Sequence, residues 1–167
     1  MLKQKLILIG MILVSFLFSR PAFAQKFLER QGRWTIGGGL GITEDPNLYG
    51  LAANVNYYIT DEISVAPLLQ FEFKDENHIF GVAGMVKYNA ILSGSNVVRP
   101  YGQVGIGFAQ FKHEDLFDGD QKTTFLFPVG GGMEFKLNEN LSLDGSLLVN
   151  LSEEIFVGIF VGVNYLF

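Results

Sequence analysis

From about residue 30 onward, apolar and polar positions alternate with a period of two, and no sustained helical period appears. The last segment is the cleanest. Ile155, Val157, Ile159, Val161, Val163, Tyr165 and Phe167 share one parity, and Phe156, Gly158, Phe160, Gly162, Asn164 and Leu166 share the other. Successive side chains of a strand point to opposite faces, so this segment has one wholly apolar face and one mixed face. The same reading predicts eight strands: Arg33–Thr43, Tyr49–Thr60, Glu62–Lys74, His78–Ala90, Arg99–Lys112, Thr124–Leu137, Leu141–Leu151 and Ile155–Phe167. Each runs 11 to 14 residues. A soluble strand averages about 5–6 residues, whereas a tilted strand crossing a membrane needs about 9–11.

The parity of the other segments sharpens the choice. The third carries Ile63, Val65, Pro67, Leu69, Phe71 and Phe73 on one side, and the sixth carries Phe125, Phe127, Val129, Gly131, Met133 and Phe135. The opposite parity holds Asn54, Asn56, Gln70, Glu72, Lys87, Gln103, Glu134, Lys136, Asp144 and Asn150 among many glycines. A soluble barrel would hide the apolar set. A continuous apolar face set against a small and polar one is the pattern of a barrel whose outside meets lipid. In lipid only a helix or a closed barrel satisfies every backbone group. The expected fold is therefore all-β: an eight-stranded antiparallel up-and-down transmembrane β-barrel. Its inner turns fall at Thr60–Glu62, Ala90–Val98 and Asn138–Asn140, and its outer loops at Glu44–Leu48, Asp75–Asn77, His113–Thr123 and Ser152–Glu154. Pro67 and Pro128 lie inside strands, where a bulge or local break is expected. Trp34, Tyr57, Tyr88, Tyr165 and Phe167 mark one aromatic belt, and Phe71, Phe73, Phe80, Phe108, Phe125 and Phe127 the other.

The first residues read differently. Lys3 and Lys5 precede an apolar stretch from Leu6 to Phe18, and Ala22-Phe23-Ala24 offers a small-x-small site before Gln25. This is the anatomy of a cleavable signal peptide over residues 1–24, cut between Ala24 and Gln25. The stretch is short for a spanning helix, which takes roughly 20 apolar residues. The barrel domain is then 25–167. Losing Lys3, Lys5 and Arg20 lowers the basic count from 12 to 9 against 17 acids, so the net charge moves from −5 to −8. That balance argues against nucleic acid. The absence of cysteine excludes disulfides, thiolate metal sites and a cysteine nucleophile.

Chemistry-bearing motifs are few. The glycines at 37–39 and 41 miss the dinucleotide pattern because position 42 is Ile, and no Lys-Ser/Thr pair follows a glycine loop. Asp118-Gly119-Asp120 lacks full EF-hand spacing. No cofactor, metal site or catalytic residue is therefore assigned. An eight-stranded barrel leaves room inside only for side chains, and Tyr58, Met85, Tyr101, Phe111, Phe156 and Phe160 are placed to fill it. If the hairpin at 138–140 centres on Glu139, Glu134 pairs with Asp144, both facing inward. Two such carboxylates need a cation or a shared proton. Arg33, Glu72, Lys87, Glu134, Lys136 and Asp144 form the expected polar network of the lumen, with one of the three bases in salt-bridge range of Glu134 or Asp144.

Three stretches carry a family resemblance: Arg99-Pro-Tyr-Gly-Gln-Val-Gly-Ile-Gly-Phe108, the hairpin from Gly130 to Asp144, and the chain end Val163-Asn-Tyr-Leu-Phe167. The chain resembles the small eight-stranded outer-membrane barrels of the OmpA/OmpX type, the outer membrane protein beta-barrel domain family of Gram-negative bacteria. The resemblance implies outer-membrane location with both termini periplasmic. It also implies outer-membrane lipid as surroundings, and periplasmic chaperones and the assembly machinery as partners during biogenesis. Val163, Tyr165 and Phe167 look like the signal that machinery reads. A monomer is expected, with no peptidoglycan-binding domain expected after the last strand. Some such barrels are lipid-modifying enzymes that use a His with a Ser and an acid near the outer rim. Here no serine lies within ten residues of His78 or His113, so no enzyme is expected. The expected role is structural or surface-interacting with a largely plugged lumen; the alternatives are a narrow ion or small-solute channel and a lipid-modifying enzyme.

Overall fold

Alternation dictates strands, and matching alternation between neighbours lets their like faces align. The computed structural model describes residues 30–44, 48–74, 77–92, 97–112, 121–153 and 155–167. Its strands are β1 (Trp34–Glu44), β2 (Leu48–Tyr58), β3 (Ile63–Lys74), β4 (Asn77–Asn89), β5 (Val98–Lys112), β6 (Gln121–Lys136), β7 (Leu141–Leu151) and β8 (Phe156–Leu166). Each pairs antiparallel with the next, and β1 pairs with β8, so the sheet closes on itself as a barrel. Closure removes the exposed edges that an open sheet would leave.

The apolar parity points outward. On β3 exposed and buried positions alternate almost without a fault, and Val161, Val163 and Tyr165 of β8 are exposed while Phe160, Asn164 and Leu166 are buried. The two aromatic belts also lie on the outer surface. At the end carrying the turns around residues 60 and 139 (the turn end), Trp34 packs on Tyr57 with ring centres 4.7 Å apart, and Tyr165 neighbours Phe167 at 6.2 Å. Toward the opposite end (the loop end), Phe108 meets Phe125 at 4.7 Å.

The prolines leave a break rather than a bulge. Between β2 and β3 the ladder runs to Asn54↔Leu68 and resumes at Tyr57↔Val65, skipping two positions on each strand beside Pro67. Between β5 and β6 it stops at Val104↔Val129 and resumes at Gly107↔Leu126 beside Pro128. The skips are equal on both sides, so no residue is inserted and the register is kept. A proline has no N–H to donate, and the rung toward one neighbour is lost. Toward their other neighbours, Pro67 pairs with Gly84 and Pro128 with Asn150.

The expected signal peptide and its Ala24–Gln25 cleavage point lie outside the described residues. So do His113 and most of the acidic loop positions, including Asp45, Asp75, Glu76, Glu114, Asp115, Asp118, Asp120 and Glu154.

Candidate functional site: the barrel interior

The interior is built from inward positions of all eight strands and divides along the barrel axis. At the turn end, the hairpin between β6 and β7 is centred as its sequence implies: Glu134 pairs with Asp144 and Lys136 with Ser142. Asn138 holds that turn by accepting from the N–H groups of Asn140 and Leu141 at 2.9 and 2.8 Å, the local bonding asparagine favours in turns.

Each carboxylate has its own donors. Glu134 accepts a two-pronged bond from Arg30, Nη2 to Oε1 at 2.8 Å and Nη1 to Oε2 at 3.0 Å. The Ser142 hydroxyl adds a third donor at 2.5 Å. Arg30 Nη1 also donates to the Tyr58 hydroxyl at 2.6 Å. Asp144 accepts from the Tyr101 hydroxyl at 2.8 Å and from Asn164 at 3.4 Å. A planar guanidinium matched to a carboxylate is a strong, directional pair. Burial is the largest influence on Arg30 and opposes its charge. The hydrogen bond to Glu134 and the fields of Tyr58 and Glu134 outweigh it and hold the pKa above the ordinary arginine value.

Arg30 precedes the first strand and reaches the interior through a turn. Arg33 N–H donates to the Arg30 carbonyl at 2.9 Å, and Gly32 N–H to the Tyr58 carbonyl at 2.8 Å. Gly32 sits at a φ of 77°, a left-handed conformation that costs glycine little. Asp61 secures the segment by accepting from the N–H groups of Arg30 and Gln31 at 2.6 and 3.0 Å.

The base beside Glu134 is therefore Arg30, and none of Arg33, Lys87 or Lys136 has an ion pair with a described carboxylate. Arg33 shares the inward parity of β1 but stands just before it, half-exposed at the rim, while the turn sends Arg30 inside. Lys136 is half-buried at the end of β6. Lys87 is deep inside, its ammonium 3.8 Å from the centre of the Tyr101 ring, a cation–π contact. Glu72 lies farther toward the loop end, fully buried, and neither of its carboxylate oxygens has a hydrogen-bond partner among the described residues. Arg99 belongs with the cluster as well: it is buried and stands opposite Glu134 in the β5–β6 register. Its parity with Tyr101 was the signal for it. For Arg30 the signal was the glycine at position 32.

The loop-end half is apolar. Leu48, Ile79, Ala109, Phe111, Leu126 and Phe156 form one buried cluster, in which Phe111 meets Phe156 edge-on at 5.8 Å. A second cluster below it joins Leu68, Met85, Leu148 and Phe160 to small alanines. Gly132 shows how closely the cylinder is packed, since a Cβ there would lie 2.7 Å from the Tyr101 hydroxyl. A cavity of about 50 Å³ remains mid-barrel, between the apolar clusters and the charged layer. At the loop-end rim Lys122 pairs with Glu153, both largely solvated. His78 sits half-buried on β4 near that rim.

No curated protein matches the chain in sequence. Among solved structures, the N-terminal β-barrel domain of Pseudomonas aeruginosa OprF is similar at TM-score 0.70 and 18% identity, covering 84% of this chain and 100% of that one. The attachment invasion locus protein Ail of Yersinia pestis is similar at TM-score 0.57 and 18% identity, covering 82% and 99%. The outer-membrane enzyme PagL is similar at TM-score 0.50 and 14% identity, covering 78% and 98%. At these identities the likeness shows the fold alone. The model of the outer membrane protein beta-barrel domain matches residues 11–165. With an apolar exterior, a sheet closed by β1 on β8 and a family match over nearly its whole length, the chain belongs to the outer-membrane β-barrel domain family.

Proposed function

We propose that this barrel serves the outer membrane as a structural or surface-interacting element with a shut lumen and no chemistry of its own. The turn end and both chain termini face the periplasm. The observation that carries this reading is the layering of the interior: a charged cluster tied by Arg30 at one end, aromatic and aliphatic clusters at the other, and about 50 Å³ between them. A conducting pore needs a continuous aqueous path, and an eight-stranded cylinder is wide enough only for its own side chains. A surface role is in keeping with the likeness to Ail, the attachment invasion locus protein. Val163, Tyr165 and Phe167, exposed along β8, are assigned to recognition by the assembly machinery, and the barrel works as a monomer.

Planar-bilayer recording of the refolded barrel tests the reading. No stable single-channel steps are expected, and reproducible steps would replace this reading with a narrow channel. Because PagL shares the fold, lipid A from cells with and without the protein should be compared by mass. Identical masses are expected, and the loss or gain of an acyl chain would make the protein an enzyme.

A further inference from the structure

The loop-end aromatic belt is not a full ring. Its outward side chains run from Tyr49 on β2 through Phe73, Phe80 and Phe108 to Phe125 and Phe127 on β6. On β7, β8 and β1 the neighbours at that height are aliphatic. Phe127 stands beside Leu151, and Ile42 stands between Ile159 and Tyr49. Over this gap the outer wall carries a groove of about 490 Å³, with Ile42, Tyr49, Val157 and Ile159 along it and Glu44 and Lys74 on its border. Both charged residues are exposed. Neither has an ion pair with another described residue.

Depth and charge restrict the occupant. Aromatic belts sit at headgroup level, so the groove lies where acyl chains give way to headgroups. Its apolar length suits a chain, and its volume falls in the range of small-molecule sites, about 300–1,000 Å³. Its border offers one cation and one anion from different strands. β1 and β3 stand two strand spacings apart, roughly 10 Å, and both side chains can bend toward a group between them. A purely anionic headgroup suits Lys74 and is repelled by Glu44, and a purely cationic one meets the reverse problem. A headgroup carrying both signs answers both residues, and a primary ammonium has N–H groups to donate to a carboxylate. We infer that the groove is a specific site for one zwitterionic phospholipid of the phosphatidylethanolamine class. Its acyl chain lies along Ile42, Val157 and Ile159, its phosphate accepts from Lys74, and its ammonium donates to Glu44. The lipid lies over the β1–β8 seam, where the sheet closes. The inference goes beyond the envelope role proposed above, and it holds whichever end of the barrel faces the periplasm.

The test is native mass spectrometry of the refolded barrel in detergent, titrated with phosphatidylethanolamine, phosphatidylglycerol, phosphatidylcholine and lipid A of matched chain length. One saturable adduct with phosphatidylethanolamine is expected. It should exceed each of the others by roughly threefold, the worth of one solvated ion pair. Equal retention of all four, or adducts that grow without saturating, would reduce the groove to ordinary lipid contact and overturn the site. Stronger retention of lipid A or phosphatidylglycerol would overturn the zwitterion. Glu44→Gln should erase the preference over phosphatidylglycerol, and Lys74→Gln should weaken both lipids. Lys122→Gln, a cation elsewhere on the same rim, should change neither. Ile42→Trp, which fills the groove from its floor, should abolish the saturable adduct, and persistence of the adduct there would overturn the location. All four substitutions lie on the outer wall or the rim, away from the packed interior, and a variant that did not refold would leave the other three to decide.

Discussion

The two halves of the interior are held by different physics. At the turn end, polar groups meet polar groups: Arg30, Glu134, Tyr58 and Ser142 exchange directional bonds of 2.5–3.0 Å. At the loop end, Leu126, Phe111 and Phe156 simply occupy volume. The first arrangement depends on every member being paired, because a buried charge stripped of its partner is costly. The second tolerates reshaping as long as the volume is kept. One sheet of alternating residues therefore supports a brittle layer and a forgiving one.

The largest effect is expected from breaking the brittle layer. Glu134→Ala leaves the Arg30 guanidinium buried without its carboxylate, and should cost about 3–5 kcal/mol, measured by urea unfolding of the refolded barrel. The double variant with Arg30→Ala should cost less than the sum of the singles, and strict additivity would show that the pair is not coupled. In the forgiving layer, Leu126→Ala should cost about 2–5 kcal/mol, while Leu126→Met should cost under about 1.5 kcal/mol; equal losses in the two would contradict the contrast. Tyr101→Phe keeps the ring against Lys87 but removes a bond to a carboxylate, and should cost about 1.5–3 kcal/mol. Lys122→Ala at the solvated rim should change stability by less than about 1 kcal/mol. That small change should shrink further in high salt, whereas the Glu134 effect should not.

Much of this was legible before any coordinates. Strand parity located Tyr58, Met85, Tyr101, Phe111, Phe156 and Phe160 inside, because a period of two leaves each residue one choice of face. The pairing of Glu134 with Asp144 followed from a hairpin only a few residues long, in which counting from the centre leaves no slack. Parity failed where the strand stopped. Arg33 lies one residue before β1, and beyond the ladder no rule sends a side chain inward. The route of Arg30 depends on a turn at Gly32 and on Asp61, 31 residues away, and nothing periodic encodes that contact. The match between Lys87 and the Tyr101 ring was nearer at hand: Lys87 pairs with Gln103 and Asn89 with Tyr101, so the two are diagonal inward neighbours on adjacent strands.

The Arg30–Glu134 bond spans 104 residues of chain. Its partners belong to the segment before β1 and to β6, which come within reach of each other only once the sheet has curled round and β8 has met β1. Long loops must close before so remote a contact repays them. The guanidinium is thus a clasp fastened on a finished cylinder, and its ordering in a refolding time course should trail the β6–β7 hairpin. A chain arrested with its seam open would carry Glu134 uncovered, so reactivity of that carboxyl reports whether the wall has been joined.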